Sequence, residues 1–571
     1  LNFPNNKIVI RLLSVCCLVL ILCTGCSREP APQPDVLFVR EGLAVSSPDL
    51  ERLSVTGPNG GLEFTSPFSK GFRTAGGNIV LPFEWKPGAL YRIKGKTPLG
   101  EFSLDLGAPQ LPAPLLVAEI PLEKMKDFQG QGANPDTCLK FSPDEKYLAI
   151  GCFFGRLRVV EVQTGNVILE KRVAEGMVKR ICWRKKLNGW TLYVGEQSPD
   201  SFIYAMDAMT GDVQWKCRLA DDLGSSSPDS GEYSFRIYNF PGPYFMKILP
   251  DGDLLVIGLH GRYKGEDFIY DSRVYLLDGD TGKPNWAWPE GQNLPYGITW
   301  AGASENGKTL ALMTDTWAAA KTRPSPYKNS ALYCLKGDTG AVQWDYSPPP
   351  LEPYYNMVSA WQGIAVSRDG QYVGLGLNDG RGMLFKTQQD ENRPVTPLWV
   401  KNIGTPVMNG NIPVASSIAY AEIAGEAILF GLPGTTIPPN TASGSSKSKP
   451  APHPRSHSVC AFTLAGEPLW EWQCSASVQG VFPSDDGRWV AVGITDDRAA
   501  ANPDEFGMAL FDASRAVHNQ NPMVYRYFTE GCVFFMGDAS RSGRYTAITE
   551  YPYSPDEGKT LIGEYRVHIV H

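Results

Sequence analysis

Two short phrases recur along this chain, and they constrain its fold more than any other feature. The first is a turn of the S-P-D-G type that leads into a β-rich run. It occurs as Phe141-Ser142-Pro143-Asp144 before KYLAIG and as Leu249-Pro250-Asp251-Gly252 before DLLVIG. Further copies end at Gly307 before KTLALM, Gly370 before QYVGLG, Gly487 before RWVAVG and Gly543 before RYTAIT, with weaker versions at Gly189 and Gly425. These eight copies are spaced by roughly 45 to 65 residues. The second phrase closes a later hairpin: Asp207, Thr210, Gly211 and then Trp215; Asp278, Thr281, Gly282 and Trp286; Thr339, Gly340 and Trp344. Degraded copies stand at Thr164-Gly165 with Leu169 and at Gly466 with Trp470, and Trp399 lacks a clear turn before it.

The residue types explain the spacing. An aspartate at the turn accepts backbone N–H groups, threonine adds a hydroxyl, and glycine takes the positive φ of a tight hairpin. The tryptophan four residues later returns on the partner strand as a large apolar wedge. One such unit cannot cover its own faces, so copies must stack side by side. Composition agrees: 58 glycines, 46 prolines and 43% hydrophobic residues among 571 suit a turn-rich β protein, not a long-helix bundle or a disordered chain. A net charge of −7 argues against a dedicated nucleic-acid surface.

The D-x-x-T-G-x-x-x-W phrase resembles the repeat of the pyrroloquinoline-quinone-like propeller family, and the S-P-D-G phrase is shared with WD-type propellers. The resemblance covers about residues 138 to 571. It implies an all-β fold, a single large β-propeller of four-stranded blades with the aromatic wedges between them, eight blades by the count of the first phrase and seven as the fallback. The last copy supplies only three strands, so a strand within Leu115 to Ile120 is expected to complete it and close the ring. The propeller is accordingly expected over 85–571, after a tether and irregular segment over 26–84, with a disordered loop at 432–457 where Pro, Gly, Ser and Lys crowd together.

The first residues read as an address. Lys7 and Arg11 precede an apolar run from Leu12 to Leu22, interrupted only by Ser14, which is shorter than the roughly 20 residues of a spanning helix. Leu22-Cys23-Thr24-Gly25-Cys26 and the Pro-rich tether after it resemble a bacterial lipoprotein cleavage box, with 1–25 as signal peptide and Cys26 as the lipidated residue. Cys23 stands where that pattern usually has leucine. The expected location is a bacterial membrane, with Ser27 resembling proteins sorted to the outer membrane and facing the periplasm. Eight cysteines remain in the body of the chain; none forms CxxC, and Cys152 and Cys334 lie in apolar runs that suit buried thiols.

Members of the resembled family are either quinone- and calcium-dependent dehydrogenases or noncatalytic scaffolds, including an outer-membrane assembly lipoprotein. The only adjacent cysteines, Cys16 and Cys17, fall in the expected signal peptide, and no calcium-ligating carboxylate or quinone-stacking tryptophan can be matched. The six histidines form no H-E-x-x-H, His453 and His457 lack a helix or acidic neighbour to make a metal pair, and no G-x-S-x-G or Walker segment is present. No catalytic residue, cofactor or metal is expected. The expected function is a lipid-anchored, noncatalytic protein-binding or assembly scaffold of the cell envelope, with a quinone-dependent oxidoreductase or an envelope-polysaccharide binder as the alternatives. Aromatic residues between the repeats, namely Tyr244, Phe245, Tyr296, Trp300, Tyr355 and Trp361, are the candidate partner-binding set.

Overall fold

The computed structural model describes residues 34–571 except 35, 40–41, 46–48, 59, 66–71, 74–78, 83–88, 99, 109–113, 123–124, 127–131, 134–137, 153–154, 175, 188, 226–239, 265, 317–319, 357, 391, 437, 439–451, 475, 496–505, 518–521, 553 and 555–559. The expected signal peptide and Cys26 lie outside the described residues. The chain divides into two compact units, one of residues 1–37, 43–82 and 89–108, the other of 38–42, 83–88 and 109–571.

The described residues of the first unit are strands, where the sequence reading expected a tether and an irregular run. Gly60–Thr65, Arg52–Gly57, Leu90–Thr97 and Gly100–Gly107 form one antiparallel sheet in that order. Its strands alternate: Leu53, Val55, Tyr91 and Ile93 are buried, while the intervening Arg92 pairs with Asp105 on the exposed side. The period-2 signal is thus present at 52–57 and 90–97. Those glycine-rich stretches are hairpin turns rather than a linker, and residues 90–107 belong to this unit rather than to the propeller.

The second unit is a β-propeller. Among the described residues, eight four-stranded antiparallel sheets follow one another from Leu116 to Val570. Their first strands are Cys138–Phe141, Met177–Lys186, Gly242–Ile248, Ala301–Ala303, Ile364–Val366, Tyr420–Ala424, Ser477–Pro483 and Cys532–Ala539. The three later strands of each sheet pair outward in chain order, with one exception. The eighth sheet takes its outer strand from Leu116–Pro121, which pairs antiparallel with Arg566–Val570, so Val567 faces Ile120 and Ile569 faces Ala118. The strand expected near Leu115 to Ile120 is found here. Reciprocal backbone bonds of 2.9 Å between Leu115 and His571 extend this closure.

Each sheet packs face to face on the next, which explains the unbroken apolar runs after the S-P-D-G turns. Leu148 and Ile150 bury toward the eighth sheet, while Ala149 between them buries toward the second. With both faces covered, no polar alternation survives. The same holds at every junction. Ile203 and Tyr193 meet Leu254 and Tyr275, and Ile257 meets Leu310 and Tyr333. Cys334 meets Val373 and Phe385, and Leu384 meets Ile428 and Phe430. Leu429 meets Val490 and Phe511, Leu510 meets Ile548, and Val567 returns to Ile150 and Val160 of the first sheet.

The second phrase supplies the directional part of this stacking. Asp207 Oδ1 accepts the N–H groups of Met209 (2.8 Å) and Thr210 (2.9 Å), and Gly211 follows at φ 71°. Asp278 does the same for Asp280 and Thr281. The Trp215 indole donates to the Gly279 carbonyl in the next sheet's turn (3.2 Å), Trp286 donates to Gly337 one sheet further (3.0 Å), and Trp344 donates to Thr387 (2.7 Å). The rings lie on the turn glycines: a Cβ on Gly282 would come within 2.4 Å of Trp215, and one on Gly340 within 2.7 Å of Trp286. Trp399, with no turn phrase of its own, uses the same geometry, donating to Leu464 and lying on Gly466. Trp470 instead stacks on Phe511 at 5.4 Å.

Of the segment 432–457 expected as a disordered loop, the described parts are built into the fold. Thr435–Thr436 pair with Ala415–Ser416, and His453, Ser456 and His457 are buried, with His453 Nε2 3.1 Å from the Thr405 carbonyl. The eight described cysteines are free; Cys334 is fully buried, whereas Cys152 is only half-buried.

Trp344→Ala removes a buried ring and its hydrogen bond across a sheet junction. It is expected to lower unfolding free energy in urea titration by about 3–5 kcal/mol, against a change within about 0.5 kcal/mol for the exposed Trp361→Ala.

Candidate functional site

Antiparallel order assigns the connections to opposite ends of the propeller. Turns from first to second strand and from third to fourth emerge at one end; second-to-third connections and the passages between sheets emerge at the other. Most connections at the first end are tight, such as Phe141 to Tyr147, Ala303 to Thr309, Val366 to Tyr372, Asp207 to Val213 and Lys336 to Val342, with longer ones from Lys386 to Trp399 and from Asp512 to Met523. Serine fastens several of these turns, as where Ser142 Oγ donates to Asp144 and accepts from Tyr147 N, a pattern repeated at Ser304, Ser367 and Ser484. The second end carries the long segments: Arg218 to Gly242, Met313 to Leu332, Tyr346 to Ile364, Asn402 to Tyr420, Leu432 to Ser458 and Tyr551 to Arg566.

The candidate partner-binding aromatics divide on this map. Phe245 and Tyr296 are buried between the third and fourth sheets, and Tyr355 between the fourth and fifth, so these three are core residues rather than a surface. Trp300 is half-buried, edge-on to Phe245 with centroids 5.4 Å apart, and the Tyr244 ring lies under the Lys179 ammonium at 3.8 Å. Phe245 is buried because it lies on the first strand of the third sheet, and Tyr296 and Tyr355 because the passages that carry them fold back over a sheet junction. Trp361 alone of the six is well exposed, at 58%. Beside it in the map are Met408 on the hairpin Val407–Asn409/Ile412–Ser416 and Tyr263 at the tip of the second-to-third hairpin of the third sheet, both exposed and unforeseen from sequence, and exposed Phe528 at the end of the seventh sheet's outer strand. All four stand at the loop-bearing end.

The other feature is a central cavity of about 570 Å³, to which all eight first strands contribute. Its inner part is lined by Met246, Trp300, Ala365, Val481 and Met536, and its turn-side part is charged. Lys140 Nζ reaches Asp485 Oδ1 at 2.7 Å and Asp538 Oδ1 at 2.9 Å, and Asp538 also accepts Phe141 N at 2.8 Å, so one ammonium ties the first, seventh and eighth sheets. Glu305 pairs with Arg368. Lys247 Nζ donates to the Ala303 carbonyl at 2.7 Å, and Glu422 accepts the Tyr420 hydroxyl at 3.1 Å.

Burial sets the titration of this set. It pushes the Glu422 carboxyl up to about 7 and that of Asp538 up to about 6, and it lowers the Lys247 amine. The neighbouring Lys140 ammonium holds Asp485 below the usual carboxylate range. None of these five charges was singled out from sequence. The signal was there: Lys140 in CLKF, Lys247 in FMKI and Glu422 in YAEIA are each a lone charge in an otherwise apolar strand.

This charge arrangement does not fit a calcium-bound quinone. Lys140 fills the position between Asp485 and Asp538 that a divalent cation needs, and among the described residues no three His, Cys, Asp or Glu side chains converge to hold a metal. Among the described residues, no helix is long and apolar enough to cross a membrane.

No protein-family model and no curated protein sequence matches the chain. Solved structures do. BamB from Moraxella catarrhalis is similar at 14% identity and a TM-score of 0.41, over 80% of this chain and 100% of that one. Quinohemoprotein alcohol dehydrogenase from Comamonas testosteroni is similar at 11% and 0.46, over 80% and 76%. The Cps50 (Swd1) β-propeller domain from Myceliophteria thermophila is similar at 9% and 0.38, over 80% and 99%. At these identities the likeness concerns fold alone.

The cavity carboxylates predict a pH dependence. A carboxyl raised by folding contributes stability that is complete below its unfolded value and is lost as pH rises through its folded one. For Glu422 that window runs from 4.5 to about 7, and for Asp538 from 3.8 to about 6. The melting temperature is expected to fall between about pH 4 and pH 7, and Glu422→Gln is expected to flatten the upper part of that fall in calorimetric scans.

Proposed function

We propose that the chain is a noncatalytic scaffold whose loop-bearing end docks a protein partner in the bacterial cell envelope. The observation that carries this reading is the asymmetry of the propeller. One end is closed mostly by short, self-satisfied turns, with longer connections only at Lys386 to Trp399 and Asp512 to Met523, whereas the six longest connections and exposed Trp361, Met408, Tyr263 and Phe528 emerge at the other. A rigid ring positions such segments while leaving them free to vary, and aromatic and methionine side chains bury much area at small entropic cost. The eight sheets act in this reading as eight blades of one ring. Its indole wedges Trp215, Trp286 and Trp344 are engaged in holding sheets together, which leaves the connections to meet partners.

Export and anchoring rest on the sequence of the first residues. With Cys26 lipidated, the chain would be held at a membrane, most simply the outer membrane facing the periplasm, by acyl chains of about 0.8 kcal/mol per buried methylene. Scaffolding of this kind is the use made by the assembly lipoproteins that the repeat resembles.

Two measurements test the proposal. Cys26→Ala is expected to abolish incorporation of labelled palmitate in the native host; undiminished labelling would refute the anchor. Photo-crosslinking groups at positions 361 and 408 are expected to trap one recurrent envelope protein, while groups at Leu187 and Thr210 on the turn end trap none. Equal trapping from both ends, or none from either, would refute docking at the loop-bearing end.

A further inference from the structure

The central cavity holds a pair of opposite charges that the protein itself leaves incomplete. Asp485 and Asp538 are neutralised by Lys140, and Glu305 by Arg368. Lys247 and Glu422 are different. They belong to the third and sixth sheets, both line the cavity, and each is the strongest charged influence on the other, yet they make no ion pair. Lys247 Nζ has one acceptor, the Ala303 carbonyl, so two of its three N–H donors have no protein acceptor among the described residues. Glu422 leans on Tyr420 and retains acceptor capacity. Half-buried groups in this state are costly unless something completes them.

The space between them suits a ligand. At about 570 Å³ the cavity lies within the range of roughly 300–1,000 Å³ typical of small-molecule sites. It is open toward solvent on the turn side, where Asp485 and Glu305 are each more than half exposed. Further in, Met246, Trp300 and Met536 offer an apolar wall, and the Arg180 guanidinium over the Trp300 ring is already bonded to the Tyr244 and Lys179 carbonyls. We propose that this cavity binds a small zwitterion with an apolar side chain, of the free dipeptide class, its carboxylate on Lys247, its ammonium on Glu422 and its side chain against Met246, Trp300 and Met536. Discrimination follows from the pairing: a ligand lacking either charge leaves one half-buried group unpaired, which costs more than the lost contact itself. The proposal is independent of docking at the loop-bearing end, because every group it uses is on a first strand or lines the channel.

The test uses the full, detergent-solubilised protein and isothermal titration calorimetry with L-leucyl-L-leucine as probe. Saturable one-site binding is expected, weakened about thirtyfold or more by either N-acetylation or C-terminal amidation of the probe and by Lys247→Met or Glu422→Gln. Should a variant fail to fold, as judged by its melting transition, the comparison of free and capped probes on the unaltered protein decides. Equal binding of the doubly capped probe, sensitivity to only one of the two caps, or no saturable binding of the free dipeptide would each overturn the proposal.

Discussion

A tryptophan on the outer strand of one sheet rests on the turn glycine of the next and donates its N–H to a carbonyl of that turn. Trp215 on Gly282, Trp286 on Gly340 and Trp399 on Gly466 are three instances, and the glycine is required at each because a Cβ would meet the ring. The contact is both apolar and directional. Burial of the ring stabilises the junction, and the N–H bond sets the register in which two twisted sheets meet. Without it the face-to-face packing of Leu, Ile and Val across the junctions would have no unique stagger. The contact recurs where the second, third and fifth sheets meet the next, while the first sheet places Leu169 on Gly211 and the sixth stacks Trp470 on Phe511.

Closure depends on a strand borrowed from far away in sequence. Leu116–Pro121 completes the eighth sheet from the N-terminal side, and at the inner edge Lys140 of the first sheet reaches Asp538 of the eighth. The first and last strands of the eight-sheet segment are thereby paired, and the eighth sheet is not left a three-stranded remnant. The Lys140 ammonium also completes the Asp485 and Asp538 carboxylates, so these two do not stand open to a cation.

Much of this was legible in the chain. The D-x-x-T-G-x-x-x-W spacing placed the hairpin and the wedge because turn chemistry is local, and the three-stranded last repeat called for a strand near Leu115 to Ile120 because an incomplete sheet leaves an edge. The sandwich-like alternation at 52–57 and 90–97 was passed over because its Gly-rich turns resemble linker composition; only pairing distinguishes the two. Tyr296 and Tyr355 read as surface residues for a related reason, whereas Phe245 sits within the strand Gly242–Ile248. A connection that crosses a sheet junction is an irregular segment in sequence but core in space, and hydrophobicity alone does not separate these cases. The cavity charges were hidden differently: Lys247 and Glu422 are 175 residues apart, and only closure of the ring brings them to one channel.

The central claim is that sheets one to eight form one closed ring sealed by the pairing of Leu116–Pro121 with Arg566–Val570. Amide hydrogen exchange of the intact chain against Ala118→Pro, which removes a donor from that ladder, tests it most directly. The account predicts that protection falls first at Arg566–Val570 and Thr546–Tyr551, then across the seam at Cys138–Phe141, while Tyr372–Gly376 on the far side of the ring keeps its protection. Unchanged protection at Arg566–Val570, or a uniform loss that spares no sheet, would contradict it.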